Sequence, residues 1–220
     1  MSQPVQVCLD SRERVFALTT AMAGMVENAV SEAIEALLAG DMQLAQSVLQ
    51  RESVINQMEM HVDAAILFCL GQRDLSTQDI RSMGSILKIN KDLERMGDLA
   101  ANIARRVSEV AAHSTSERFE LQPMAIAVSH MCRKTLRALV RQDVVLAESA
   151  LGTETLVQAY RNYVSSRIRE RLGRGVYDAV ADVALLLASR SLEQIANHAA
   201  NLADTLFFWM RSQPERERVA

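Results

Sequence analysis

Aromatic residues, proline, glycine and cysteine are all scarce in this chain of 220 residues. Aromatics make up 4% of the sequence, which has eight glycines, three prolines and three cysteines. The apolar residues are mostly Ala, Leu, Val, Ile and Met, a composition that favours helices. No segment alternates apolar and polar residues for long enough to indicate a strand. The sequence therefore predicts an all-α protein.

Cysteine usage and hydropathy both indicate a cytosolic protein. Cys8, Cys69 and Cys132 are odd in number and far apart, so they form neither a disulfide framework nor a thiolate zinc site. We interpret each as an ordinary core or surface residue. No run of about 18 uncharged apolar residues occurs, and the first ten residues lack the pattern of a signal peptide.

Charge is distributed unequally between the two halves. Residues 1–110 hold 10 Lys/Arg and 15 Asp/Glu (net −5), whereas residues 111–220 hold 14 and 12 (net +2). The basic residues of the second half have no interleaved aromatics on which bases could stack. We interpret them as solvated helix faces and expect no nucleic-acid partner.

Apolar residues recur every three or four positions through six long segments. Gly40 followed by Asp41 is typical of a helix end and a new N-cap, and Ser76 with Asp79 resembles a capping box. A polar segment at 113–123 predicts a connection between two halves. The six helices are expected over residues 10–38, 42–70, 77–112, 122–141, 143–172 and 174–211.

The two halves resemble each other in sequence. Residues 36–49 match residues 138–151 at a shift of 102, and residues 93–104 match residues 192–203 at a shift of 99. A small deletion in the second half explains the difference between the shifts. The repeat therefore predicts two tandem units of three helices each.

Two pairs of acidic residues have the spacing that places both members on one side of a helix. Glu94 and Asp98 are four residues apart, as are Glu59 and Asp63 upstream. If the two helices pack antiparallel, the four carboxylates converge into a set of oxygen ligands for a hard cation. Surface ion pairs with neighbouring lysines and arginines are the alternative.

The segment 93–103, Leu-Glu-Arg-Met-Gly-Asp-Leu-Ala-Ala-Asn-Ile, resembles the third-helix motif of the PhoU family of phosphate-signalling proteins. The resemblance covers nearly the whole chain and implies two three-helix bundles, at 1–113 and 114–220. It implies a cytoplasmic negative regulator of phosphate uptake and starvation signalling, and no enzyme. The implied partners are the ATPase of a phosphate ABC transporter, a sensor histidine kinase and a second copy in a homodimer, with membrane contact only through partners.

The family resemblance also implies a bound metal ion or cluster, most often iron, with zinc or manganese as alternatives. The first repeat retains all the matching residues, which are Glu59, Asp63, Glu94 and Asp98.

The second repeat departs from that pattern. It keeps Glu193 but has Asn197 in place of Asp, and Tyr160 and Val164 stand where Glu and Asp are expected. An amide carries no charge, and tyrosine and valine do not replace two carboxylates. We therefore expect a metal site in the first repeat only, with Asn197 and His198 free to hydrogen-bond across the bundle.

Two other functions are compatible with parts of the sequence. A PhoU-like helical adaptor for another transporter, without metal, would have the same fold. A di-metal carboxylate enzyme of the ferritin kind needs Glu three residues before His on two helices. None of the four histidines has that neighbour, so the enzyme is the weakest of the three hypotheses.

Overall fold

The computed structural model describes residues 3–73, 75–111, 118–175 and 178–211, without the side chains of residues 3–10 and 119. Within these ranges every regular element is a helix, which confirms the all-α prediction. Six helices are long and two are short, and one 3-10 turn lies at Phe119–Leu121. The α-helices are α1 (Gln3–Ala39), α2 (Met42–Leu70), α3 (Thr77–Ala104), α4 (Val107–Val110), α5 (Gln122–Arg141), α6 (Val144–Glu148), α7 (Glu154–Gly173) and α8 (Ala179–Arg211).

The helices form two bundles that share one apolar core. Helices α1, α2 and α3 pack on each other, and α5, α7 and α8 do the same, with α6 against α5 and α8. The two bundles meet where α3 lies along α8 and α1 touches α5, and buried apolar side chains of both belong to a single cluster. The predicted boundary between residues 113 and 114 falls outside the described residues and stays a prediction.

Local signals at the first two turns act as the sequence predicts. Gly40 has φ +72°, the left-handed conformation that ends a helix. The Asp41 carboxylate accepts hydrogen bonds from the backbone N–H groups of Gln43 and Leu44, at 2.9 and 3.0 Å. Ser76 and Asp79 form a reciprocal capping box, with N–H to side-chain oxygen distances of 3.0 and 3.1 Å.

Four predicted helices have different boundaries in the structure. The third helix ends at Ala104 because the chain tightens at Arg105 and Arg106, where the N–H of Arg106 donates to the carbonyl of Ile103 rather than to that of Asn102. The predicted fifth helix is interrupted between α6 and α7, where Gly152 has φ +82°. The sixth starts at Ala179 rather than Arg174, since the Asp178 carboxylate caps its first turn. The first helix begins at Gln3, earlier than predicted.

Polar contacts fix the antiparallel register of α3 on α8. The Trp209 indole N–H donates to Ser82 Oγ at 3.0 Å, and His198 Nδ1 lies 2.9 Å from Asp92 Oδ1. His198 therefore hydrogen-bonds between the repeats, the ordinary role expected for it. Between α1 and α5, Arg133 Nε lies 3.7 Å from Glu27 Oε1.

The two cysteines whose side chains are described are ordinary core residues, as the sequence predicts. Cys69 and Cys132 are both buried in the core, and burial raises the pKa of Cys132 to about 12, so its thiol is unreactive near neutral pH. The side chain of Cys8 lies outside the described part. Among the described residues, no helix combines the length and apolar character needed to cross a membrane.

Gly97 lets α2 and α3 approach closely in the middle of the first bundle. A Cβ at this position would stand 3.0 Å from Cγ2 and 3.2 Å from Cδ1 of Ile55, which is itself buried. Glu94 and Asp98 lie within one turn of Gly97 on α3. This close contact therefore sets how near the acidic residues of α3 come to α2.

Replacing Gly97 by valine should destabilise the protein by about 1–3 kcal/mol, because the branched side chain has no room beside Ile55. The midpoint of urea unfolding measures this change. Gly84→Val on the same helix is the matched control, since a Cβ there meets nothing within 4 Å. Equal midpoints for the two variants would contradict the close-contact explanation.

Candidate functional site

The four predicted ligands lie along the seam between α2 and α3. Lys91 joins the two helices there: its Nζ lies 3.3 Å from Glu59 Oε1 and 3.1 Å from Glu94 Oε2. Glu59 and Glu94 therefore reach the same ammonium group from neighbouring helices. The two helices are thus antiparallel, which is the condition under which the sequence predicts that their carboxylates converge.

Asp63 is held by Asn90, a residue that sequence reasoning missed. The buried Asn90 amide donates to Asp63 Oδ1 at 2.7 Å and to the carbonyl of Glu59 at 3.1 Å. Because both acceptors are on α2, one amide of α3 fixes the local register of the two helices. An Asn on the apolar stripe of α3 is the signal that could have revealed it, since buried amides need partners.

Glu94 and Asp98 form the crowded part of the seam. Glu94 is only 9% exposed, and its Oε2 lies between Lys91 Nζ and Arg95 Nε, at 3.1 and 3.6 Å. Arg95 Nη1 also lies 3.5 Å from Asp98 Oδ2. Burial and the neighbouring Glu94 raise the pKa of Asp98, although Arg95 opposes the shift. The hydrogen bond to Glu94 is the main cause that raises the pKa of Lys91.

The described residues do not include a ready-made metal cage. Among these residues, no group of three or more His, Cys, Asp or Glu side chains lies close enough together to hold a metal ion. Instead, Lys91, Arg95 and Asn90 occupy the spaces between the four carboxylates. Chemically, the seam is a strip of hard oxygen donors whose charge is partly neutralised by two cations.

The equivalent seam of the second repeat is built differently. Glu193 faces Arg161 of α7, with 3.2 Å between Oε2 and Nε, and Val164 is fully buried in the core. An ion pair therefore stands where the first repeat has opposed carboxylates. Further arginines of α7 are also paired: Arg167 and Arg171 contact Glu120 at 3.1 and 2.9 Å.

The family model of the PhoU domain matches the chain twice, at residues 19–107 and 121–206. The two matches cover the two bundles described above and most of the chain.

Two named relatives and one solved structure also resemble this chain. The chain is 34% identical over 201 residues to the phosphate-specific transport system accessory protein PhoU homolog of Pseudomonas aeruginosa, covering 89% of this chain and 82% of that protein. It is 27% identical over 204 residues to the accessory protein PhoU of Escherichia coli, covering 89% and 81%. The crystal structure of PhoU from Pseudomonas aeruginosa superposes with a TM-score of 0.87 at 30% identity, over 93% of this chain and 99% of that one. From the paired domain matches, these relatives and the shared fold, we conclude that the chain belongs to the PhoU family.

Proposed function

We propose that this protein is a cytoplasmic accessory protein of a phosphate-specific transport system that keeps phosphate uptake and phosphate-starvation signalling low when phosphate is abundant. The observation that carries the proposal is the PhoU domain match in both halves of the chain. The Pseudomonas aeruginosa and Escherichia coli relatives are both described as accessory proteins of that transport system, which is a regulatory role and not an enzymatic one.

The proposed partners are the ATPase of the phosphate transporter and the sensor histidine kinase, bound by a homodimer. A protein that regulates without catalysis acts only through different affinities for different states of its partners. The α3–α8 contact joins the two repeats and both bundles share one core, so a partner can contact both repeats at once.

We also propose that the α2–α3 seam binds a metal ion through Glu59, Asp63, Glu94 and Asp98, whose side chains close around the ion when it displaces Lys91. The donor set suits a hard cation, because all four side chains offer carboxylate oxygens. The pKa of Asp98 is raised first by burial and then by the negative charge of Glu94, and a bound cation would relieve that charge. When bound, the metal would supply positive charge and cross-link α2 to α3. Lys91 neutralises Glu59 and Glu94 without it, so it competes with the metal.

Deleting the gene in its own host should give alkaline phosphatase activity even in abundant phosphate, because the restraint on starvation signalling is lost. Phosphatase activity measured before and after restoring the gene provides the test, and restoration should return it to the low level. Unchanged phosphatase on deletion would mean that the protein serves another transporter, as the adaptor hypothesis holds.

Metal-free Asp98→Asn should be slightly more stable than wild type at neutral pH, by about 0.2–0.5 kcal/mol, because it removes a like charge four residues from Glu94. The folded-state pKa of Asp98 is raised, so its ionisation costs stability as the pH rises through that pKa. The gain should therefore vanish once the pH falls below the ordinary value of 3.8, where the carboxyl is protonated in both states. Urea unfolding in EDTA measures the difference, with the exposed Asp204→Asn as control. A gain that persists in acid would rule out the charge explanation.

Removing the competing cation should strengthen metal binding. Lys91→Met keeps the apolar stem and frees Glu59 and Glu94, so Mn²⁺ should bind about tenfold more tightly than to wild type. Asp63→Asn/Asp98→Asn should bind more weakly than wild type. Titration of EDTA-treated protein followed by electron paramagnetic resonance measures both affinities, and elemental analysis identifies the metal carried from the host.

Lys88→Met is the matched control for Lys91→Met, because Lys88 is an exposed lysine one turn earlier on α3 and should leave Mn²⁺ affinity unchanged. If wild type and Asp63→Asn/Asp98→Asn bind Mn²⁺ equally, the proposed site is wrong.

A further inference from the structure

Helix α2 has a second apolar face that no other part of the described structure covers. Its buried face is formed by Ile55, Val62 and Ile66. On the other side Met60, Leu67 and Phe68 are 61%, 68% and 60% exposed. Large apolar side chains that cluster in this way on a soluble protein mark an interaction surface.

The spacing of these residues matches the surface of a helix that receives another helix. Met60, Ala64, Leu67 and Phe68 follow one another by four, three and one positions, so they form a stripe about two turns long. We call these four residues the outer stripe of α2. Helices that pack against each other make contact through residues at this spacing.

A groove beside the outer stripe extends the docking surface towards α1. It lies between the N-terminal half of α1 and the C-terminal half of α2 and has a volume of about 600 Å³. Leu18, Ala65 and Phe68 supply apolar lining, while Arg14 and His61 supply the polar part. A helix laid along α2 would therefore bury its apolar side chains against both helices.

The polar lining of the groove selects the charge of the occupant. Among the described residues no carboxylate lines the groove, and neither Arg14 nor His61 forms an ion pair with another described residue. Arg14 is therefore the one charged side chain among the described residues that line the groove, although residues 1–110 are acidic as a whole. An occupant with carboxylates beside its apolar face complements this charge.

A second copy of the chain does not meet that requirement. In a contact across a two-fold axis each copy presents the same surface to the other. The groove of one copy would then face Arg14 of the other, which brings two like charges together. We therefore propose that the outer stripe and its groove bind an amphipathic helix of a partner protein with acidic residues along its apolar face.

Two fluorescein-labelled helical peptides of equal length test the proposal on the full chain. Both carry leucines at spacings of three and four, flanked by glutamates in one peptide and by lysines in the other. Fluorescence anisotropy should show that wild type binds the glutamate peptide at least about tenfold more tightly than the lysine peptide. Leu67→Gln/Phe68→Gln should weaken that binding at least about tenfold, and Arg14→Glu should remove the preference for glutamate.

Val145→Gln is the matched control, because Val145 is a similarly exposed apolar residue of the second repeat, at 70% exposure. It should leave peptide binding unchanged. Thermal melts confirm that the variants fold, as expected for exposed positions. Equal binding of the two peptides, or unchanged binding by Leu67→Gln/Phe68→Gln, overturns the proposal. Light scattering that shows a wild-type dimer and a monomeric Leu67→Gln/Phe68→Gln variant also overturns it, in favour of a second copy as the occupant.

Discussion

Helix α3 is the constraint on which the rest of the structure depends. It packs against α1 and α2 within its own bundle and along α8 of the other, so half of its residues are buried. Eight of its 28 residues are charged, and all of these except Asp79 and Glu94 lie outside the buried half. Glu94 and Asp98 stand at the edge of that half, on the side that faces α2, where both are partly or mostly buried. Both the closeness of the helices at Gly97 and the crowding of the carboxylates follow from this one requirement.

The two repeats relieve the same electrostatic problem in different ways. A carboxylate that is mostly buried on a third helix needs a cation or hydrogen-bond donors beside it. In the second repeat Arg161 is fixed opposite Glu193 and provides that charge within the bundle. In the first repeat Glu94 faces a helix with three further carboxylates, Glu52, Glu59 and Asp63, and a single lysine bridges Glu59 and Glu94. The first seam thus keeps an excess of oxygen donors, and burial together with the charge of Glu94 raises the pKa of Asp98.

The sequence predicts those features of the fold that depend on neighbouring residues. The helical period, the Gly40–Asp41 turn and the Ser76–Asp79 capping box rest on neighbouring residues, so they were readable and the structure confirms them. The break at Arg105 and Arg106 was not, because it serves a tertiary need: the short α4 turns Val107 and Val110 into the core. Asp178 is a local N-cap signal, and it places the start of α8 after the predicted Arg174. The Asn90 contacts join residues that are about thirty positions apart, which periodicity does not reveal.

Periodicity identifies the buried face of α2 but does not reveal that a second apolar face stays uncovered. In α2, Val62 and Ile66 belong to the core, whereas Met60 and Leu67 face outward. The acidic pair Glu59 and Asp63 lies between these faces, on the side towards α3. One rigid helix thus carries the core, the carboxylates and the outer stripe on adjacent strips of its surface. A change in how α2 sits against α3 moves the carboxylates and the outer stripe together, because neither can shift without the helix. The proposed metal binding at the carboxylates would then be coupled to the proposed helix binding at the outer stripe, to the extent that each favours a different position of α2.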